Sequence, residues 1–157
     1  MGAQLAFPGR QVIALAGDGG FAMLMGELLT LKQLKAPAKI VIFNNNSLAF
    51  VELEMKASGL LHYGTDLENP NFAALAEAAG IRGIRVTDPA ALPAAIAEML
   101  AHPGPVILDA VVKRTELSMP PTIQKDQVLG FSLYTLKAIM SGRGDEVLEL
   151  AKTNLLR

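Results

Sequence analysis

The chain has 157 residues, no cysteine, no tryptophan, and fourteen basic against fifteen acidic side chains, which is ample length for one domain of ordinary size with a sizeable core. That balance leaves no basic stripe and no aromatic platform for bases, arguing against nucleic acid as a partner, and without cysteine there is no disulfide framework and no thiolate metal site. Hydrophobic residues make up 51% and charged residues only 18%, a bias that suggests strands buried on both faces and surface covered by another subunit.

Residues 1–8 lack the basic and long apolar regions of a secretory signal. Every apolar stretch breaks well short of the roughly 20 residues that a membrane-spanning helix needs. A cytoplasmic chain, soluble or peripheral, is therefore expected. The run Val12-Ile13-Ala14-Leu15-Ala16 reads as a buried first strand over residues 11–16 and leads directly into Gly17-Asp18-Gly19-Gly20. Such a strand end offers a hard carboxylate oxygen and a backbone that a phosphate can approach without interference from Cβ atoms, although Asp-Gly alone also marks turns.

Residues 21–34 follow as a helix with Leu24, Leu28, Leu31 and Leu34 at helical spacing, ended by Pro37. A second strand over 39–43 runs into Asn44-Asn45-Asn46. The next helix, over 47–58, places Leu48, Val51 and Met55 on one side and Glu52, Glu54 and Lys56 on a solvated face, and Gly59 closes it. Residues 60–70 have no period and read as a loop. Asn71 is the expected N-cap of a helix over 72–79, Gly80 its stop, and 81–86 the third strand. Asp88-Pro89 starts a helix that tolerates Pro93 in its first turn and reaches residue 101, before a last strand over 106–112.

Beyond residue 115 the character changes. Met119-Pro120-Pro121 reads as a linker, and two amphipathic segments follow around Ser141-Gly142-Arg143-Gly144. Phe131, Leu133, Leu136, Ile139 and Met140 line the first; Val147, Leu148, Leu150, Ala151 and Leu155 line the second, which Asp145 caps. The alternation predicts an α/β three-layer sandwich with a mainly parallel sheet flanked by helices over residues 1–115, and a C-terminal helical tail over 116–157.

In a strand-helix-strand unit with parallel strands, Asp18 and Asn45 enter loops at the same edge of the sheet, where open α/β sheets bind ligands. A helix start there welcomes negative charge. Asp18 would repel a bare diphosphate, so a divalent cation between the two is the economical arrangement, and Mg²⁺ suits oxygen ligands shared with phosphate.

At these residues the chain resembles the diphosphate-binding domain of thiamine-diphosphate-dependent enzymes, whose signature is a Gly-Asp-Gly turn followed, one βαβ unit later, by paired asparagines. Met1-Gly2, Pro8, Ile13 and Leu15 fit the longer pattern. Within that family, Phe43-Asn44-Asn45, Phe50-Val51, Glu54-Met55-Lys56 and the tail stretches Gly130-Phe131-Ser132-Leu133-Tyr134 and Ser141 to Val147 resemble the quinone-dependent pyruvate dehydrogenases, or pyruvate oxidases. The resemblance covers essentially the whole chain. It implies that Asp18 and Asn45 supply side-chain oxygens to Mg²⁺, that the backbone carbonyl of Ser47 completes the protein ligands, and that Gly19 and Gly20 hydrogen-bond the diphosphate. Gly17, Asn46, Leu48, Ala49, Phe50 and Val51 complete the cofactor-binding stretch. Three consecutive asparagines leave the register open by themselves; aligning Phe50-Val51 and Glu54-Met55 puts Asn45 at the ligating position. Ala49 departs from the glycine of many relatives.

The resemblance also implies what this stretch does not supply. The glutamate that activates the aminopyrimidine sits on another domain, no flavin-binding domain is present, and Met1 falls within the helix expected before the first strand, so no residue here is assigned as catalytic. The chain is expected to be a fragment, inactive alone, of an enzyme that oxidatively decarboxylates pyruvate to acetate and CO₂ and passes electrons through FAD, bound elsewhere, to a quinone. Its expected partners are the aminopyrimidine-binding half, copies of itself in a homo-oligomer, and a membrane surface met by the tail on the inner face of the cell membrane. Lys137, Arg143, Lys152 and Arg157 would face anionic headgroups. The alternatives are a subunit of a split enzyme, acetolactate synthase-like or a 2-oxoacid decarboxylase, and a non-catalytic α/β interaction domain. His62 and His102 are read as surface residues and Phe21, Met23 and Met25 as helix core, while Phe50 is divided between cofactor contact and core.

Overall fold

The structure is a computed structural model and describes residues 1–116 and 124–155. The expected Met119-Pro120-Pro121 linker and Arg157 lie outside the described residues, as does the side chain of Leu155. In chain order the elements are α1 (Gly2–Ala6), β1 (Ile13–Gly17), α2 (Asp18–Met23), α3 (Glu27–Gln33), β2 (Lys39–Asn44), α4 (Ala49–Ala57), α5 (Phe72–Ala78), β3 (Arg82–Val86), a 3-10 turn (Pro89–Ala91), α6 (Leu92–Ala101), β4 (Val106–Val111), α7 (Lys125–Met140) and α8 (Gly144–Leu155). They divide into two compact units, one formed by Met1–Asn46 with Glu68–Val112 and the other by Ser47–Leu67 with Lys113–Arg157.

The first unit is the expected α/β sandwich. Its four strands lie in the order β1-β2-β4-β3 and every neighbouring pair is parallel, so all the strands finish at one edge. One face carries Ile42 and Ile107 beneath Phe21, Leu28, Leu31, Phe72 and Ala76, with Phe21 and Phe72 meeting edge to face at 5.2 Å. The other face carries Val106, Leu108, Ile84 and Val86 beneath Ala95 and Met99 of α6. Full burial of each large apolar side chain contributes roughly 1.5–3 kcal/mol.

Two details depart from expectation. The helix expected over 21–34 is broken: α2 begins at Asp18 and ends at Met23, and α3 starts only after Gly26, a poor helix former. Leu28 and Leu31 reach the core, whereas Leu24, Leu34, Met23 and Met25 are exposed, so only Phe21 of the expected aromatic and methionine set packs inside. The first strand is not buried either. It is an edge strand; α6 packs on β3 and β4 rather than over it, and Ile13 and Leu15 stand 46% and 69% exposed among the described residues.

At the opposite end of the sheet, buried Lys39 opens β2 and its Nζ donates to the carbonyls of His102 and Gly104, each at 2.5 Å. Burial pushes its pKa down. His102 is half-buried rather than on the surface, and its Nδ1 accepts the Gly104 N–H at 3.0 Å. Asn71 caps α5 as expected, accepting from the Ala74 N–H at 3.0 Å.

In the second unit α4 packs on α7, and α7 on α8. The buried face of α7 is Tyr134 and Ala138; Leu133, Leu136, Ile139 and Met140 of the apolar stripe read from the sequence are exposed. Helical periodicity marks a stripe without saying which stripe turns inward, and a 100° offset exchanges the two. The stripe left outside runs Leu129, Leu133, Leu136, Met140. In α8, Leu150 is buried and Leu148 is exposed. Asp145 lies inside the first turn, since the helix begins at Gly144, so it acts through the helix dipole rather than as a cap.

Helices approach their supports most closely where glycine permits it. A Cβ on Gly83 of β3 would sit 2.1 Å from the Ala73 carbonyl oxygen of α5, and one on Gly130 of α7 would sit 1.8 Å from the Ala57 carbonyl oxygen of α4. Backbone cannot yield as a flexible side chain does. Gly83→Ala and Gly130→Ala are each expected to destabilise by about 1–3 kcal/mol in urea titrations followed by circular dichroism, whereas Gly9→Ala, which meets nothing within 4 Å, leaves the midpoint in place.

Candidate metal and diphosphate site

The parallel pairing of β1 with β2 sets Gly17 beside Phe43, which brings the residue after β1 next to the last residue of β2. Gly17 is extended and caps α2, and Asp18 is the first helical residue, at the end of the helix where negative charge is favoured. Its carboxylate is 2% exposed. Oδ1 accepts the Gly19 N–H at 2.9 Å. Oδ2 accepts the N–H groups of Asn45 at 3.0 Å and Asn46 at 2.7 Å, and the Asn69 side-chain amide at 2.7 Å. The expected convergence of Asp18 with the asparagine turn is therefore present, tied by the turn's own backbone.

The three asparagines divide the work. Asn44 ends β2 with a buried carboxamide that donates to Asp109 Oδ1 at 2.9 Å and accepts from Asn69 at 3.0 Å. Asn46 has φ 55°, the left-handed conformation that asparagine tolerates better than most residues. Asn45 lies between them, its backbone on Asp18. Asp109, in mid-strand and 0% exposed, also accepts the Phe72 N–H at 3.2 Å and pairs with Arg85, its neighbour in register on β3.

Asn69, Asp109 and Arg85 were given no role from the sequence, and Asn44 was read only as the first of the three asparagines. An acidic residue inside the apolar run Val106-Ile107-Leu108-Asp109-Ala110-Val111 was the available signal, because a buried carboxylate needs donors.

The site suits a cation held jointly with phosphate. Nothing lies within 4 Å of where a Cβ would sit on Gly17 or Gly20, so the turn is an open cradle that a side chain would fill. Mg²⁺ is commonly bound by one or two carboxylates together with substrate phosphates rather than by an all-protein cage, and a single buried carboxylate beside an open glycine turn is compatible with that. Asp18 and Asn45 fit that role.

Ser47 to Val51 belong to the second unit. Ser47 is buried with its hydroxyl donating to Glu52 at 2.8 Å, and the Leu48 N–H donates to the Thr65 carbonyl at 2.9 Å. Leu48 and Ala49 are half-buried, and Phe50 and Val51 are exposed, which removes core packing as the role of Phe50.

Glu52 and Lys56, expected on a solvated face, are both buried. They pair at 2.6 Å, Arg114 reaches Glu52 at 2.8 Å, and the Lys56 ammonium lies 5.4 Å from the Tyr134 ring centre. Burial pushes the Glu52 carboxyl up, but hydrogen bonds and charge from Lys56 and Arg114, with the Ser47 hydroxyl, outweigh it and hold the pKa at about 2. His62 is also drawn in from the surface: its ring lies against the Arg143 guanidinium at 2.7–2.9 Å and 3.8 Å from Glu52. Arg143 is held by Glu146, and Lys137 by the Gly59 carbonyl.

Residues 1–110 match the family described as "Thiamine pyrophosphate enzyme, C-terminal TPP binding domain". The chain belongs to the thiamine pyrophosphate enzymes. It is 39% identical over 96% of its length to YdaP of Bacillus subtilis, whose name describes it as thiamine pyrophosphate-containing. It is 35% identical over 84% of its length to the acetolactate synthase large subunit of Porphyra purpurea, and 36% identical over 76% to acetolactate synthase 2, chloroplastic, of Nicotiana tabacum. It spans 26%, 23% and 19% of these relatives, about a quarter of their length or less. These names establish the family and do not single out the quinone-dependent pyruvate dehydrogenases within it.

The Glu52 cluster has a definite pH signature. A carboxyl whose folded pKa lies below its unfolded one adds stability above the unfolded value and loses it as pH falls toward the folded value. Acid titration of the wild type is expected to remove roughly 2–3 kcal/mol between about pH 4.5 and pH 2 through this group. Glu52→Gln should be less stable at pH 7 and lack that component of the acid loss, as read by urea midpoints at stepped pH.

Proposed function

We propose that this chain anchors the diphosphate end of thiamine diphosphate through Mg²⁺ in a 2-oxoacid-decarboxylating enzyme. The observation that carries this reading is the buried Asp18 carboxylate, clamped by the Asn45 and Asn46 backbone at the shared edge of β1 and β2. Asp18 and Asn45 are the side-chain ligands, the Ser47 carbonyl is the third protein ligand that the family resemblance implies, and Gly19 and Gly20 face the phosphates. The residues from Asn46 to Val51 continue the cofactor-binding stretch. When bound, thiamine diphosphate supplies the stabilised carbanion chemistry of the reaction. The protein's part here is to fix the cation and hold the phosphates, with the reacting end of the cofactor served by an aminopyrimidine-binding half on the same or another polypeptide.

Two finer readings each have support. Identity of 33–36% to acetolactate synthases favours an acetolactate synthase-like enzyme. The pyruvate:quinone oxidoreductase reading, with FAD bound outside this chain, leans on the tail, where Leu129, Leu133, Leu136 and Met140 form an exposed apolar stripe on α7. Such a stripe suits an interfacial position on the inner membrane face, and no described helix is long and apolar enough to cross a membrane. Homo-oligomerisation would supply a second cover for exposed apolar surface.

Calorimetric titration with thiamine diphosphate should show binding that depends on Mg²⁺ and that Asp18→Ala abolishes or weakens more than tenfold; equal binding by the variant overturns the assignment. The chain alone should not turn over pyruvate. Flotation with anionic liposomes tests the tail: Leu129→Glu with Leu136→Glu should abolish flotation while leaving the thermal midpoint unchanged, because both side chains are exposed.

A further inference from the structure

The two oxygens of Asp18 are not equivalent. Oδ2 takes three N–H donors, from Asn45, Asn46 and Asn69, at 2.7–3.0 Å, which exceeds the two lone-pair sites that a carboxylate oxygen offers. Oδ1 takes the single N–H of Gly19, the next residue along the chain. Among the described residues, a cation approaching Asp18 therefore finds remaining acceptor capacity on Oδ1.

We propose that Asn69 is a positioning residue for the metal site, locking Asp18 so that Oδ1 faces the cation, and that Asn44, Asp109 and Arg85 hold Asn69 in its working orientation. The inference rests on the metal-diphosphate reading and goes beyond it, since Asn69 lies 51 residues from Asp18 and outside the Gly-Asp-Gly and asparagine motifs.

The direction of every bond along this array is fixed. Asn69 Nδ2 donates both to Asp18 Oδ2 and to Asn44 Oδ1; Asn44 Nδ2 then donates to Asp109 Oδ1. Turning the Asn69 amide over would set its oxygen against two acceptor oxygens. Turning Asn44 would set its oxygen against the Asp109 carboxylate. At the far end, Asp109 is held by the Phe72 N–H and the Arg85 guanidinium. Asp18, Asn44 and Asp109 are each at most 2% exposed, so water cannot replace a lost partner, and partly satisfied buried networks are disfavoured. The array collects the end of β1, the end of β2, mid-strand positions of β4 and β3, and the residues just before α5. It ties the metal-facing carboxylate to the centre of the sheet.

The test uses the full chain with Asn69→Ala and the near-isosteric Asn69→Asp. One arm measures free Mn²⁺ by electron paramagnetic resonance in the presence of thiamine diphosphate; the other follows amide hydrogen exchange in metal-free protein. Asn69→Ala should weaken Mn²⁺ binding about tenfold, the scale on which partners of metal ligands act, and should speed exchange at the Asn45 and Asn46 amides while β4 stays protected. Asn69→Asp should lose more, since it sets a carboxylate against Asp18 and lacks the N–H.

Leu31→Ala, a core deletion away from the array, should lower the thermal midpoint without moving Mn²⁺ affinity, separating positioning from stability. Unchanged exchange at Asn45 and Asn46 in both Asn69 variants overturns the proposal whatever the metal arm shows. So does Mn²⁺ affinity that is the same in both Asn69 variants as in a wild type that binds. Absence of Mn²⁺ binding by the wild type counts against the functional reading instead, and exchange then decides the role of Asn69.

Discussion

Burying a carboxylate is costly unless donors answer it, and Asp18 meets that condition with N–H groups from Gly19, Asn45, Asn46 and Asn69. Much of the first unit's geometry can be read as the means of delivering those donors. Parallel pairing of β1 and β2 brings the asparagine turn alongside, the left-handed Asn46 aims two successive amides at one oxygen, and the residues leading into α5 present Asn69 from the other side. A carboxylate fixed in this way is held in one orientation, and a fixed oxygen suits the small, strictly coordinated Mg²⁺ proposed for it.

The second unit solves a similar problem with different chemistry. Glu52 is answered by full charges rather than amides, from Lys56 and Arg114, with the Ser47 hydroxyl completing its shell. Buried ion clusters of this kind contribute modest net stability, because desolvation offsets attraction, yet removing one member leaves an uncompensated charge. Ser47 thus has its side-chain hydroxyl committed to the Glu52 cluster.

Local signals carried the positions of the strands and the meeting of Asp18 with the asparagine turn; global ones were needed for the rest. Apolar runs punctuated by Gly17-Asp18-Gly19-Gly20, Pro37, Gly80 and Pro103-Gly104-Pro105 placed all four strands within a residue or two, because strand cores and breakers are encoded where they act. Which side of an element faces inward is encoded elsewhere, in whatever packs against it. For that reason Glu52 and Lys56 passed for solvated residues at helical spacing, β1 was taken as buried although its neighbours leave it at the edge, and the apolar stripe read on α7 did not reveal that Tyr134 and Ala138 form its inward face. Asn69 escaped notice because a single polar residue before a proline is common in loops, and only the fold reveals what it touches.

The position of β1 has a consequence for the chain as a molecule in solution. An edge strand turns one row of backbone N–H and C=O groups outward, and here the same strand shows Ile13 and Leu15 to solvent. Natural sheets blunt such edges with charge, proline or a covering element, since an open apolar edge is a template onto which another extended chain can add. No charged residue or proline lies between Ile13 and Gly17. The strand that leads into Asp18 thus carries none of these protections within its own residues, which ties the exposed edge of the sheet to the stretch of chain that delivers the buried carboxylate.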